Sequence, residues 1–412
     1  MKKKLFAIVI SMLLLVTGCS SKIQGQDIMK DVQKRDVTGV DDLAADNVAV
    51  TDFAVRLFQA SAEEDKNTLI SPLSVLSALS MTVNGAKGDT LTQMETVLGM
   101  QTNELNEYLY SYIKALPQGE NYKLNLANSI WFTDDERFSV NQDFLQLNAD
   151  YYGADIYRAA FDQSTCNDIN NWVKDKTDGM IPEILDEIPK EAVMYLVNAL
   201  AFDAEWADTY EKGQIEPGIF TLEDGVTQEV SFMHSEESNY LEDEHATGVM
   251  KYYKECKYAF VALLPNEGVS VSEYVDILDG EHLNKMIENR TNLTVKTAIP
   301  KFESEYSTEM SKVLSGMGMS DAFDDDKADF TGLGTSTDGN IYINRVLHKT
   351  FISVGEKGTK AGAATVVEMM DECALEQDEP KVVTLDRPFV YMLIDCETNI
   401  PFFIGTMMNV NE

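Results

Sequence analysis

The stretch Gly355–Met370, GEKGTKAGAATVVEMM, decides how the rest of the chain is read. It opens with small residues, which suit neither a packed helix nor a typical sheet core. At a strand's period of two, one face carries Thr359, Ala361, Ala363, Thr365, Val367 and Met369, all uncharged. The other carries Lys360, Gly362, Ala364, Val366, Glu368 and Met370, and so holds both charges between Thr359 and Met370. A run that is buriable on one face and small where it begins can join a sheet late. Composition alone also fits a Gly/Ala-rich surface loop, so the surrounding chain has to choose between the two.

The N-terminus sets the compartment. Lys2, Lys3 and Lys4 precede an apolar run from Leu5 to Val16. That run falls short of the roughly 20 residues a bilayer-spanning helix needs. It ends at Val16–Cys19, VTGC, which resembles the bacterial lipobox; the resemblance implies that Cys19 carries the lipid and begins the mature chain. Residues 1–18 are thus expected to be a lipoprotein signal peptide, 19–46 a polar, disordered tether and 47–412 one large domain. The expected location is outside the cytoplasm, lipid-anchored at the cell envelope or surface.

Thirty-three basic against 69 acidic residues give a net charge of −36, which argues against nucleic acid and against adsorption to anionic lipid. Membrane contact is expected only through the Cys19 lipid. Besides Cys19, Cys166, Cys256, Cys373 and Cys396 permit two disulfides, but no framework spacing appears and no obligatory bridge is expected. His234, His245 and His282 lack zinc spacing, and Asp321–Asp329 lacks the glycine and bidentate glutamate of a calcium loop. Gly316 and Gly318 lack the third glycine of a phosphate loop. No cofactor, metal or nucleic acid is expected, and a monomer is.

Along the chain, Asn47–Ala60 reads as a helix. Ser71 and Pro72 start an almost wholly apolar helix over Leu73–Asn84, and Thr90–Leu98 forms another, stopped by Gly99. Tyr122–Thr133 and Met194–Trp206 read as strands around a helix-then-loop at Cys166–Leu185. Strands follow at Gly248–Met250, Tyr258–Leu264, Leu293–Lys301, Ile341–Val354, Phe389–Asp395 and Phe402–Met408. The class is α+β.

From Asn47 onward the chain resembles the serpin family. The resemblance rests on Asn67–Ser74 (NTLISPLS), Asn84–Thr90 (NGAKGDT), Asn170–Val173 (NNWV) with Thr177–Gly179, and Val197–Phe202 (VNALAF) before Trp206. It continues through Ile299–Phe302 (IPKF), Met317–Met319, Asp321–Phe323, Ala328–Phe330, Val346–Lys349 (VLHK), Glu356–Ala361 (EKGTKA) and Asp386–Phe389 (DRPF). Each motif is weak alone; together, in order, they are highly specific.

The resemblance implies about three β-sheets, eight to nine helices and an exposed reactive-centre loop. It makes Glu356, Gly358, Thr359, Ala361, Gly362, Ala363, Ala364 and Thr365 the loop hinge, and it implies suicide inhibition rather than catalysis. A protease cleaves the loop as a substrate, and the freed strand inserts into the main sheet while still acylated to the enzyme. The partners implied are serine proteases held in a covalent acyl complex. Counting from the hinge puts the scissile bond near Glu372–Cys373, and counting back from Pro388 puts it later; Met370, Glu372, Cys373 and Leu375 are the reactive-bond candidates. The absence of Lys or Arg between Lys360 and Lys381 disfavours trypsin-like targets, leaving elastase- or chymotrypsin-like ones. The alternatives are glutamate-specific or papain-like cysteine proteases, or a surface lipoprotein that only binds a ligand or host protein.

Ser71, Ser74, Asn198 and His348 match a polar cluster beneath the family's main sheet, and Trp206 the aromatic where the loop first inserts. A serine–histidine pair invites a catalytic reading. A buried hydrogen-bond network holding the sheet closed accounts for the residues better, because no oxyanion motif accompanies them.

Overall fold

The computed structural model describes residues 23–189, 192–337, 339–359 and 379–411. Among these, nine α-helices surround sheets of seven, nine and two strands. The main sheet runs, in spatial order, Gln26–Asp27, Asp155–Ala159, Tyr122–Thr133, Met194–Glu205, Gly358–Thr359, Arg345–Gly355 and Phe302–Glu309. The second sheet begins at Lys381–Thr384 and Thr291–Pro300. It continues through Thr227–Glu242, Ala246–Tyr252, Tyr258–Pro265, Phe389–Asp395 and Pro401–Met407 to Thr68–Ile70, with Ile215–Thr221 paired on Thr227–Glu242.

The helix Pro72–Val83 lies between the sheets with all its residues buried, as its all-round apolar sequence requires. Ser71 caps it through a bond from Ser74 N. Two of its hydroxyls turn back onto the backbone, Ser80 to Leu76 O and Thr82 to Ala78 O, whereas Ser77 Oγ is buried without a partner among the described residues. The central strand Met194–Glu205 is buried on both faces. Met194, Leu196, Leu200, Phe202 and Ala204 join the main core, whereas Tyr195, Val197 and Ala199 pack with Ile169, Trp172 and Val173 of the helix Gln163–Lys176.

Two expectations are corrected. The strand expected over Ile341–Val354 starts at Arg345, because Ile343 N is committed to Ala322 O, off the sheet. The polar segment expected to be a disordered tether is, from Ile23 on, held to the body. Gln24 N and Gly25 N both donate to buried Asp168 Oδ2 (2.7 and 2.9 Å), Gln26–Asp27 pairs with Asp155–Ala159, and Arg35 pairs with Asp150 at 2.7 Å. Polar composition did not prevent docking because backbone amides and the Arg35 guanidinium find buried carboxylates, while apolar Ile23, Ile28, Met29 and Val32 pack against the two cores.

Candidate functional site: a slot in the main sheet

The central strand Met194–Glu205 and the strand Arg345–Gly355 are parallel neighbours. They pair directly only at Tyr195, Leu196 and Val197 against Arg345, Val346 and Leu347. At the other end a third strand, Gly358–Thr359, separates them and runs antiparallel to both. Thr359 lies opposite Ala204 and Val354, and Gly358 opposite Glu205 and Gly355. Between these ends, residues 198–203 and 348–353 have no described ladder to each other. The sheet is pinned at one end and wedged at the other.

Gly358 is required at the wedge. Its φ is +153°, and a Cβ would meet Ala204 O at 2.0 Å and Glu205 Cα at 2.8 Å. The turn Gly355–Lys357 that feeds the wedge is gripped by one segment. Trp206 donates Nε1–H to Gly355 O (2.8 Å) and its backbone N–H to Lys357 O (2.9 Å), while Tyr210 N donates to Glu356 O (2.9 Å). Lys301 meets Glu356 at 2.5 Å, and its hydrogen bond holds that carboxyl below the usual range.

Thr359 itself is buried, its Oγ1 2.5 Å from the Tyr253 hydroxyl. Tyr253 stacks on Trp206 with ring centroids 4.4 Å apart, and burial pushes its phenol pKa far up, so the hydroxyl stays protonated. Beneath this stack lies Lys251, 1% exposed, its ammonium 2.6 Å from Glu237 and 4.6 Å from the Tyr210 ring centroid. Tyr253, Lys251 and Tyr210 belong to no quoted family motif and were missed in the sequence, and Lys301, inside the IPKF motif, was given no role there. Lys251 left one signal: a lone charge inside the apolar, aromatic run of Ala246–Tyr252.

At the pinned end, the start of the helix Pro72–Val83 bridges both walls. Ser71 N donates to His348 Nε2 (3.1 Å), and Ser74 Oγ donates to Asn198 Oδ1 (2.6 Å). Burial alone lowers the His348 pKa from 6.5 to about 4, so the ring is neutral at pH 7. Because Nε2 accepts, the ring proton is assigned to Nδ1. Nδ1 and Asn198 Nδ2 are both buried without a partner among the described residues. The arrangement is a clamp; Ser71 donates a backbone amide, and no nucleophile–base contact forms.

Of the expected hinge, Glu356, Gly358 and Thr359 are therefore at the slot. Ala361, Gly362, Ala363, Ala364, Thr365, the bond candidates Met370, Glu372, Cys373 and Leu375, and the lipid residue Cys19 lie outside the described residues. Asp324, Asp325 and Asp326 converge within 4.8 Å, but Asp324 already pairs with Lys327 and accepts from the Asp326 and Lys327 amides, so the turn is internally satisfied.

A family model described as Serpin (serine protease inhibitor) matches residues 48–410, and the chain belongs to the serpin family. It is 29% identical to an uncharacterized serpin-like protein of Thermococcus kodakarensis, covering 94% of this chain and 88% of that one. Against the leukocyte elastase inhibitor of Homo sapiens identity is also 29%, covering 87% and 97%. Among solved structures, the thermophilic serpin tengpin in its native state is 48% identical, with a TM-score of 0.90 over 94% of this chain and 100% of tengpin. The same serpin in its latent state gives a TM-score of 0.80 at 46% identity, over 92% and 100%.

Proposed function

We propose that the chain is an irreversible, suicide-type inhibitor of serine proteases, and that the half-open slot is where its cleaved loop goes. The observation that carries this reading is the wedge: Gly358–Thr359 already occupies the first two rungs. Continuing the register sets Ala361 beside Phe202 and Ile352, Ala363 beside Leu200 and Thr350, and Thr365 beside Asn198 and His348. Val367 would then fall between Leu196 and Val346, which already pair with each other, so three ladders agree on one frame.

This frame turns the uncharged set Thr359–Met369 toward the main core. It puts Lys360 level with Asp203 and Glu368 level with Arg345, on the face covered by the helix Gln163–Lys176. Thr365 reaches the rung of the two unpartnered donors, His348 Nδ1 and Asn198 Nδ2, and supplies a hydroxyl there. Roughly ten new ladder bonds at about 0.5–1.5 kcal/mol each are enough to make the step one-way.

In the proposed reaction the protease serine attacks the scissile carbonyl, the bond to the following nitrogen breaks, and an acyl ester remains. Insertion then drags the enzyme along and distorts its oxyanion hole before water can hydrolyse the ester. Likeness to a leukocyte elastase inhibitor and a segment free of Lys and Arg between Lys360 and Lys381 favour elastase- or chymotrypsin-like targets. Lipid attachment at Cys19 would hold the inhibitor at the envelope.

Charging the core-facing set tests the mechanism. Thr359→Arg or Ala363→Glu should leave the protein a cleaved substrate, with no SDS-stable complex on incubation with elastase or chymotrypsin. A full yield of complex from either variant would end the insertion account.

A further inference from the structure

Behind the hinge, on the turn that carries Tyr253, lies a pair of thiols that the inhibitory reading does not use. The strands Ala246–Tyr252 and Tyr258–Pro265 are joined by a tight turn in which Tyr253 N donates to Tyr258 O and Cys256 N to Tyr253 O, both at 3.0 Å. Glu255 and Cys256 both take left-handed backbone angles, φ 64° and 52°, which L residues rarely adopt in succession. Next to this turn, Tyr258 pairs with Asp395, and Cys396 N donates to Lys257 O at 3.0 Å, extending the ladder by one rung. Cys256 is therefore the chain neighbour of the residue facing Cys396. The thiols are near enough that an ionised Cys256 would raise the pKa of Cys396. Cys256 is exposed and Cys396 half-buried against the main core. Cys166, the other described cysteine, sits in the second core with its sulfur 3.0 Å from Leu185 O.

We propose that Cys256 and Cys396 form a redox site, a dithiol that a small-molecule disulfide converts into an intrachain bridge. The exposed Cys256 reacts first. Its thiol gives a proton to water, and the thiolate attacks one sulfur of the small disulfide, expelling the other half as a thiolate. Cys396 then loses its proton and attacks the Cys256 sulfur of the mixed disulfide, expelling the second half. Two protein thiols are oxidised to one disulfide, and one small disulfide is reduced to two thiols. Burial, followed by the Asp395 charge, holds the Cys396 thiol above its ordinary pKa even after Cys256 is capped in the mixed disulfide, so the second step is the slow one and quickens with rising pH. The bridge would tie the turn bearing Tyr253, and through it the contact to Thr359, to the loop following Asp395. It does not depend on the protein inhibiting anything.

The full chain is incubated with oxidised glutathione, its free thiols are alkylated, and it is digested without reduction for mass spectrometry. The expected product is one peptide pair joined through Cys256 and Cys396, lighter by two hydrogens than the separate thiol peptides. In Cys396→Ser, oxidation should stop at a glutathione adduct on Cys256; in Cys256→Ser, Cys396 should remain a thiol. Wild-type protein that ends with glutathione on Cys256 and an alkylated Cys396 overturns the proposal, as does Cys256 joined to Cys166, to Cys373 or to a second chain. Because the mapping of wild-type protein needs no variant, a misfolded substitution cannot leave the question open.

Discussion

Acid should loosen the clamp beneath the slot, and the size of the effect follows from one imidazole. His348 must accept the Ser71 amide at Nε2, so it has to be neutral in the folded protein. Burial lowers its pKa to about 4, against 6.5 in an unfolded chain. The unfolded state therefore binds the proton first as pH falls. The stability tied to the neutral ring is complete above pH 6.5 and drains away toward pH 4. At about 1.4 kcal/mol per pH unit, roughly 2 kcal/mol is lost by pH 5 and about 3 kcal/mol by pH 4. The assay compares thermal midpoints of the uncleaved protein and of His348→Gln between pH 7.5 and pH 5. Every other carboxylate and histidine titrates in both proteins, so their difference isolates position 348. A wild-type midpoint that falls no more steeply with acid than the variant's would refute the reasoning.

Other substitutions probe the wedge and its supports. Gly358→Ala should force the wedge out of line, because its Cβ would overlap Ala204 O, at about 1–3 kcal/mol; Trp206, bonded to Gly355 O, should report the shift as red-shifted emission, and unchanged emission counts against the wedge. Lys251→Met and Glu237→Leu should each cost about 3 kcal/mol by stranding a partner, whereas the double variant should cost far less than their sum; additive losses in denaturant melts would show that the pair is not coupled. Asp168→Ala removes the acceptor of Gln24 N and Gly25 N and should speed tryptic nicking at Lys30 and Lys34 on the order of tenfold, with equal rates contradicting a docked segment.

Much of this was legible in the sequence where local signals and burial agree. Tyr122–Thr133 and Phe389–Asp395 alternate or run apolar over their full length and form strands with those bounds. Ser71 and Pro72 announced the buried helix. Other elements went unread although their signals were present. Leu105, Tyr108, Leu109 and Tyr112 recur at helical spacing along Thr102–Ala115, but within a polar stretch. Ser270 and Glu273 make a capping box that starts Val271–Ile277. The site divides along the same line. Its hinge and clamp residues were found through family motifs, which preserve chain order. The grip of Trp206, Tyr210, Tyr253 and Lys251 joins distant segments, and no periodicity in one segment encodes a contact made by another.

The docked N-terminal segment changes what an anchor at Cys19 would mean. With Gln24 and Gly25 fixed to Asp168, only four residues, 20–23, would remain between a lipid on Cys19 and the folded body. Fully extended, they reach roughly 15 Å. An inhibitor so mounted would stand almost flush with the bilayer instead of drifting on a long leash. It would police proteases arriving at the surface, and those passing at a distance would escape it.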